Sequence, residues 1–177
     1  MKQIDAARAG LVLGLISIAY MVCNILLGKI NASGAGAAAL NVAGLLLWLL
    51  KLVLCIRLMK LFMQKYAAGK EDVTNGDTFR FGTLTALLSA LIYSGFALAW
   101  SSFIQPDMYN SAFEMARDTY SGMLTADQLS MFDDLLPKMP TYTFIANLLW
   151  CWIFGTVLAA IFSRNIPPRN PFSETEQ

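Results

Sequence analysis

One continuous apolar stretch, residues 37–65, constrains the fold of this chain more than any other feature. It reads AAALNVAGLLLWLLKLVLCIRLMKLFMQK, and its first half carries a single polar side chain, Asn41. Its positive charges gather toward the other end, at Lys51, Arg57, Lys60 and Lys65. Such a stretch is too apolar to face water, and Lys and Arg accumulate on the cytoplasmic side of a span. The pattern predicts a transmembrane helix whose C-terminal end lies in the cytoplasm.

Three further apolar stretches predict an all-α membrane protein with four transmembrane helices in a bundle. Charged residues are 14% of the chain, against roughly 25% in soluble domains. A cleaved signal peptide is the alternative for the first stretch, but its apolar run is longer than the about 7–15 residues typical of such peptides. We therefore expect one integral membrane domain over residues 1–177, with spans at about 10–28, 37–57, 81–104 and 142–162, an outer insertion at 105–141 and a cytoplasmic tail at 163–177.

The distribution of basic residues predicts the topology. With both termini in the cytoplasm, the inner side holds Lys2, Arg8, Lys51, Arg57, Lys60, Lys65, Lys70, Arg80, Arg164 and Arg169. The outer side then holds only Lys29, Arg117 and Lys138. This asymmetry satisfies the positive-inside rule.

The outer insertion has a pattern of its own. Apolar residues recur at helical spacing between residues 107 and 120, and Thr125 to Gln128 fits a capping box that opens a second helix. We expect two short amphipathic helices that lie on the membrane surface or cap the outer mouth of the bundle. The acidic residues of this segment form either a solvated face or a binding patch.

Small and amide side chains mark the faces that should pack inside the bundle. Gly10, Gly14, Gly44 and Gly155 lie on stripes that allow close helix approach. A second set, Asn24, Asn41 and Asn147, lies at a similar depth near the outer surface. Those amides predict either hydrogen bonds between helices or the polar floor of an outward-facing cavity.

Lys51 is the most informative single residue, because no Asp or Glu occurs within the predicted spans to neutralise it. On an ideal helix it points away from Arg57 and Lys60, onto the stripe with Asn41 and Gly44. An ionisable residue inside a membrane is a functional candidate by default. The alternative is that the span is shifted, so that Lys51 lies at the inner interface and residues 52–63 form an amphipathic extension.

The residue types argue against enzymatic chemistry. The chain has no histidine, which removes the commonest general base and metal ligand. Its three cysteines lie in apolar runs without metal-ligand spacing, and the hydroxyls of span three are expected to bond back to helix carbonyls. We expect no catalytic residue, no metal, no cofactor and no nucleic-acid partner.

The tail Ser163–Phe172 (SRNIPPRNPF) carries a family resemblance. A short, basic, proline-rich exit from the last span, in a chain of this length with four spans, resembles the bacterial membrane family catalogued as domain of unknown function 4199. The resemblance implies a bacterial cytoplasmic (inner) membrane protein without an assigned activity, and an association with membrane glycosyltransferases of the polyprenyl-phosphate type. Within the tail we expect contacts to headgroups or a partner from Arg164, Asn165, Pro167, Pro168 and Arg169.

Two functions remain open from the sequence. The first is an accessory or structural subunit of a membrane enzyme complex, possibly one of lipid-linked glycosyl transfer, with a membrane-protein partner or self-association. The second is a small transporter or lipid-translocating protein with a polar path near Lys51. The second requires a cavity between spans one, two and four.

Overall fold

The computed structural model describes residues 2–30, 33–69, 72–120, 125, 131 and 133–166, and within them it contains helices and no strand. The elements in chain order are α1 (Lys2–Gly28), α2 (Ala35–Ala68), α3 (Asn75–Ala99), a π-helical turn (Trp100–Ile104), α4 (Met108–Tyr120), a 3-10 turn (Leu136–Lys138) and α5 (Met139–Asn165). Helices α1, α2, α3 and α5 are long and apolar enough to cross a membrane. The predicted all-α fold with four spans is confirmed.

The four long helices alternate in direction, which gives the bundle two different ends. The start of α1, the α2–α3 connection and the finish of α5 lie at one end, which we call the terminal end. The α1–α2 connection and the segment between α3 and α5 lie at the other, the insertion end. Asn75 shows the first arrangement directly, since its amide is placed to donate to the carbonyl oxygens of Ser163 and Ile166, each at 3.1 Å.

Helix α3 is the central element, and it packs extensively against both α5 and α1. Small residues at every fourth position give it a narrow surface on which other helices can approach closely: Gly82, Ala86, Ala90 and Ser94, all buried. Close approach between helices replaces the hydrophobic driving force that lipid does not supply. The small-residue stripes predicted from the sequence lie in spans one, two and four, so the central role of span three is a finding of the structure.

The tightly packed core lies toward the terminal end. Its buried side chains come from the first half of α1, the last third of α2, the α2–α3 connection, the first half of α3 and the end of α5 with the residue that follows it (Ala6, Ala9, Leu13, Met59, Met63, Tyr66, Ala67, Val73, Phe81, Ala86, Ala159 and Ile166). Tyr66 stacks on Phe81 with ring centroids 4.3 Å apart. By contrast, no residue in the most apolar stretch of α2 is fully buried within the described part of the chain. That part of α2 is free to contact lipid or a partner.

Helix α2 is longer than the predicted span 37–57. Its 34 residues measure about 51 Å, well beyond the roughly 30 Å hydrocarbon core. Neither glycine nor proline occurs between Gly44 and Gly69, and the Gly69 N–H caps the helix by donating to the Lys65 carbonyl at 3.1 Å. Burial of Met59 and Met63 stabilises the added turns, so residues 52–63 belong to the bundle.

Helix α3 starts six residues before the predicted span 81–104. Residues 67–79 are polar and contain the turn signal Asn75-Gly76-Asp77, which predicts a loop. That prediction is wrong for residues 67–68, which end α2, and for residues 75–79, which begin α3. The Thr74 hydroxyl accepts the Asp77 backbone N–H at 3.1 Å, as the N-cap residue of a helix does. The polar residues therefore begin a helix.

The outer insertion is described in part. Helix α4 occupies the first of its two predicted helices, with Phe113 and Ala116 half-buried and Glu114 and Arg117 exposed. Of the second predicted helix, over residues 125–136, residues 126–130 and 132 lie outside the described residues, and residues 133–135 are helical.

Candidate functional site: a lysine inside the bundle

Lys51 lies on α2 and reaches between two aromatic rings of neighbouring helices. Its Nζ is 4.9 Å from the ring centroid of Tyr20 on α1 and 5.2 Å from that of Tyr93 on α3. Both distances are within the about 6 Å range of cation–π attraction, which is worth about 2 kcal/mol where water is excluded. The two tyrosines hold the ammonium in the bundle without neutralising its charge.

The Lys51 ammonium has no negative partner in the part of the chain that the structure describes. No carboxylate pairs with it there, and it makes no hydrogen bond to a described acceptor. Lysine offers three N–H donors, and aromatic faces satisfy a charge only partly. Lys51 is half-buried, and a charge withdrawn from water is normally paired. The site is therefore one that an anion would complete.

A cavity of about 250 Å³ adjoins Lys51. All four spans contribute to its wall, which is mainly apolar and includes the polar side chains of Ser17, Cys55, Ser89 and Cys151. Ser17 donates its hydroxyl proton to the Leu13 carbonyl at 3.1 Å, which leaves its oxygen able to accept. Lys51 is the only charged side chain among the described residues of the wall.

The depth of Lys51 follows from the rings that hold it. Tyr20 lies twelve positions after Arg8, and Tyr93 lies thirteen positions after Arg80. At 1.5 Å per residue the rings lie about 18–20 Å from those exposed arginines along the helix axes. Arginines at span ends lie at headgroup level, and the hydrocarbon core is about 30 Å thick. With those arginines at headgroup level, the ammonium is expected near the middle of the bilayer, as the intramembrane interpretation of Lys51 requires.

The three asparagines do not form the predicted polar layer. Asn24 and Asn41 are exposed on the bundle surface and Asn147 is half-buried. Asn24 lies near Gly44, since a Cβ added to Gly44 would lie 3.7 Å from its Oδ1. No hydrogen bond joins the three described amides to one another. The prediction rested only on the similar depth of these residues along their spans. The rotation of each helix about its axis places them in different surroundings.

The four glycines differ in how closely a neighbouring helix approaches them. A Cβ added at Gly10 or Gly14 would lie 2.8 Å from Leu88 or Ile92 of α3, and one at Gly155 would lie 2.5 Å from the Cβ of Ala86. At Gly44 no such crowding exists. The closely approached glycines all face α3. The Gly10-Gly14 pair is therefore engaged within the chain.

The tail residues divide at the end of α5. Arg164 and Asn165 are exposed in its last turn, and the N–H of buried Ile166 donates to the Phe162 carbonyl at 3.0 Å. Pro167, Pro168 and Arg169 lie outside the described residues.

Several site residues were missed by sequence reasoning. Tyr20 and Tyr93 could have been proposed as candidates, because an unneutralised lysine inside a membrane needs an electron-rich partner and aromatic rings supply one.

The hydroxyl prediction for span three holds for Ser94 and Ser101, which donate to the carbonyls of Ala90 and Leu98. It is wrong for Thr83 and Thr85, whose buried hydroxyls have no hydrogen-bond partner among the residues that the structure describes.

Four helices that are long and apolar enough to cross a membrane define a multi-pass helical membrane protein. The chain belongs to the family described as proteins of unknown function (DUF4199), whose family model matches residues 8–164. The sequence-based resemblance is thereby confirmed. Among curated proteins and among solved structures, none matches the chain.

Proposed function

We propose that this protein is a non-enzymatic membrane protein that takes an anionic amphiphile from the bilayer into its cavity at Lys51, as a small transporter or lipid-translocating protein would. The observation that carries the proposal is a Lys51 ammonium that lies between two tyrosine rings, beside an accessible cavity, without a negative partner among the described residues. Intramembrane ionisable residues are rare and mark substrate or ion pathways. The cavity between the spans is the feature that the transport hypothesis required.

In this proposal an anionic ligand balances the positive charge of Lys51. Bringing a lysine charge into an apolar interior is costly, and that cost is recovered only through a close opposite charge with good hydrogen bonds. The tyrosine rings stabilise the empty site enough to keep it folded. An acidic headgroup would then supply the acceptors that the described side chains do not.

We predict that the protein purified from its native membranes in mild detergent retains an acidic lipid, and that Lys51→Met abolishes this retention. Methionine keeps the length of the side chain and removes its charge, so the bundle should still form. The readout is mass spectrometry of the lipids extracted from equal amounts of purified protein. We expect at least a tenfold loss of the acidic lipid, corresponding to about 1.4 kcal/mol or more.

Lys60→Met is the matched control, because Lys60 is an exposed lysine nine positions later on the same helix. It should leave the retained lipid unchanged. Equal lipid content in the wild type and the Lys51→Met variant, with both variants folded, would contradict the proposal.

A second function, an accessory subunit of a membrane enzyme complex, is supported by a different observation. The apolar stretch of α2 buries none of its residues within the chain, and large side chains such as Leu46 and Leu50 stand about 60% exposed on it. A partner helix could pack there. A stoichiometric membrane enzyme in the same native preparation, retained equally by the Lys51→Met variant, would favour this role.

The proposed placement follows from the charge distribution. We propose that both termini face the cytoplasm, because the exposed Arg57, Lys60 and Arg164 all lie toward the terminal end of the bundle. We propose that the membrane is a bacterial inner membrane.

A further inference from the structure

The cavity at Lys51 opens toward lipid through the gap between α2 and α5. These two helices pack only lightly against each other, and together they supply most of the cavity wall. Trp48 on α2 and Trp150 on α5 belong to that wall and are 46% and 74% exposed on the bundle surface. Residues exposed at this level of a span face acyl chains. A ligand from the bilayer can therefore reach the cavity sideways, without crossing the headgroup region at either end.

We infer that the occupant is a single-chain amphiphile with a terminal carboxylate, a ligand of the fatty-acid class, bound with its carboxylate on Lys51 and its chain leaving between Trp48 and Trp150. This inference rests on the proposed function and names its ligand class.

Charge balance selects a monoanion. The wall of the cavity offers one ammonium and otherwise neutral side chains in its described part. A carboxylate leaves no net charge in the apolar site. A dianionic phosphomonoester would leave one negative charge without a partner, which is strongly unfavourable in a medium of low dielectric constant. Arginine forks are the usual device for holding phosphate, and the site has a lysine instead.

The size and shape of the cavity favour a ligand whose headgroup lies at the end of a single chain. A volume of about 250 Å³ equals roughly eight water molecules at about 30 Å³ each, and it is below the about 300–1,000 Å³ of most small-molecule sites. A carboxylate ends its chain and can approach Lys51 first, with a few methylenes behind it. A phosphodiester carries substituents on both sides, so a glycerol with two chains would have to follow it through the gap.

The test measures binding of three probes to the purified full-length protein in detergent by native mass spectrometry: oleate, oleyl alcohol and dioleoylphosphatidylglycerol. We expect a one-to-one oleate complex whose apparent affinity exceeds that of the other two by about tenfold or more, because a charge-assisted hydrogen bond is lost or hindered in each of them. Lys51→Met should reduce oleate binding to the level of oleyl alcohol.

A second pair of variants tests the cavity without changing Lys51. Cys151→Leu adds bulk to the cavity wall, whereas Cys23→Leu makes the same change at an exposed position of α1 outside it. Oleate binding should fall about tenfold in the first and stay unchanged in the second. Equal oleate binding in both would overturn the inference.

The possible outcomes test the fatty-acid ligand class separately from the proposed function, which is binding of an anionic amphiphile at Lys51. Stronger Lys51-dependent binding of dioleoylphosphatidylglycerol than of oleate would overturn the fatty-acid class and leave the anionic-lipid function standing. Equal binding of oleate and oleyl alcohol, unaffected by Lys51→Met, would overturn the inference. If native preparations also lacked a Lys51-dependent acidic lipid, the proposed function would fail with it.

Discussion

Adding one methyl group at Gly155 is expected to destabilise the bundle by about 1–3 kcal/mol, the usual cost of forcing atoms into a packed interior. A Cβ at this position would lie 2.5 Å from the Cβ of Ala86 and 3.5 Å from its Cα, so α3 and α5 would have to move apart. These two helices form the most extensive contact in the bundle. The free energy of unfolding of Gly155→Ala, measured by denaturant titration in detergent micelles, checks the expectation.

Gly95→Ala is the control, because it adds the same methyl group to α3 at a place with nothing within 4 Å. Alanine is the better helix former by roughly 0.5–1 kcal/mol, so this variant should be as stable as the wild type or slightly more so. Equal stability of the two variants would show that α3 and α5 do not approach as closely as the structure has them.

Loss of the aromatic ring at position 93 is expected to be costly only while Lys51 carries its charge. Tyr93→Leu removes one of the two rings on the ammonium, with a loss of about 2 kcal/mol from cation–π attraction in a dry site. In the Lys51→Met background the same substitution loses only packing. A double-mutant cycle on the free energy of unfolding should therefore give a coupling energy of about 1–2 kcal/mol.

Tyr93→Phe provides the matched comparison, since it keeps the ring and removes only the hydroxyl. Because the ring remains on the ammonium, the cycle of Tyr93→Phe with Lys51→Met should give a coupling energy close to zero. Additive effects of Tyr93→Leu and Lys51→Met would mean that the ammonium does not rest on this ring. A cycle at Tyr20 should give a similar coupling energy, because its centroid is slightly closer to Nζ.

The architecture was readable from the sequence because lipid imposes simple rules on it. A span must be long and apolar, and its backbone must be helical, so four apolar stretches predict four helices. The helix ends were harder to predict. Thr74 begins α3 within a segment that reads as a turn, and residues 58–68 extend α2 because their buried side chains find neighbours at the terminal end.

Packing and the site could be predicted only in part. Span three carries small residues at 82, 86, 90 and 94, a pattern as regular as the glycine stripe of span one, yet its importance depends on which helices surround it. Lys51 was found from the sequence because a charge among apolar residues is conspicuous. The rings of Tyr20 and Tyr93 come from two other helices, so their meeting at Lys51 depends on the relative rotation of three spans.

We propose that Lys51 lies in the middle of the bilayer. Spin labels on α2 measure this depth most directly. Leu50 adjoins Lys51 and is 62% exposed, so a nitroxide there samples lipid at the same level with Lys51 intact. Lys60, also exposed, lies ten positions further on, or about 15 Å along the helix. The native cysteines would first be replaced with alanine.

Depth is then read in lipid bilayers from the competing relaxation by oxygen and by a water-soluble nickel complex. The structure predicts the Leu50→Cys label within about 5 Å of the bilayer centre and the Lys60→Cys label near the headgroups, as a helix rise of about 1.5 Å per residue requires. A Leu50 label at headgroup level would place Lys51 at the interface and contradict an anion site inside the membrane.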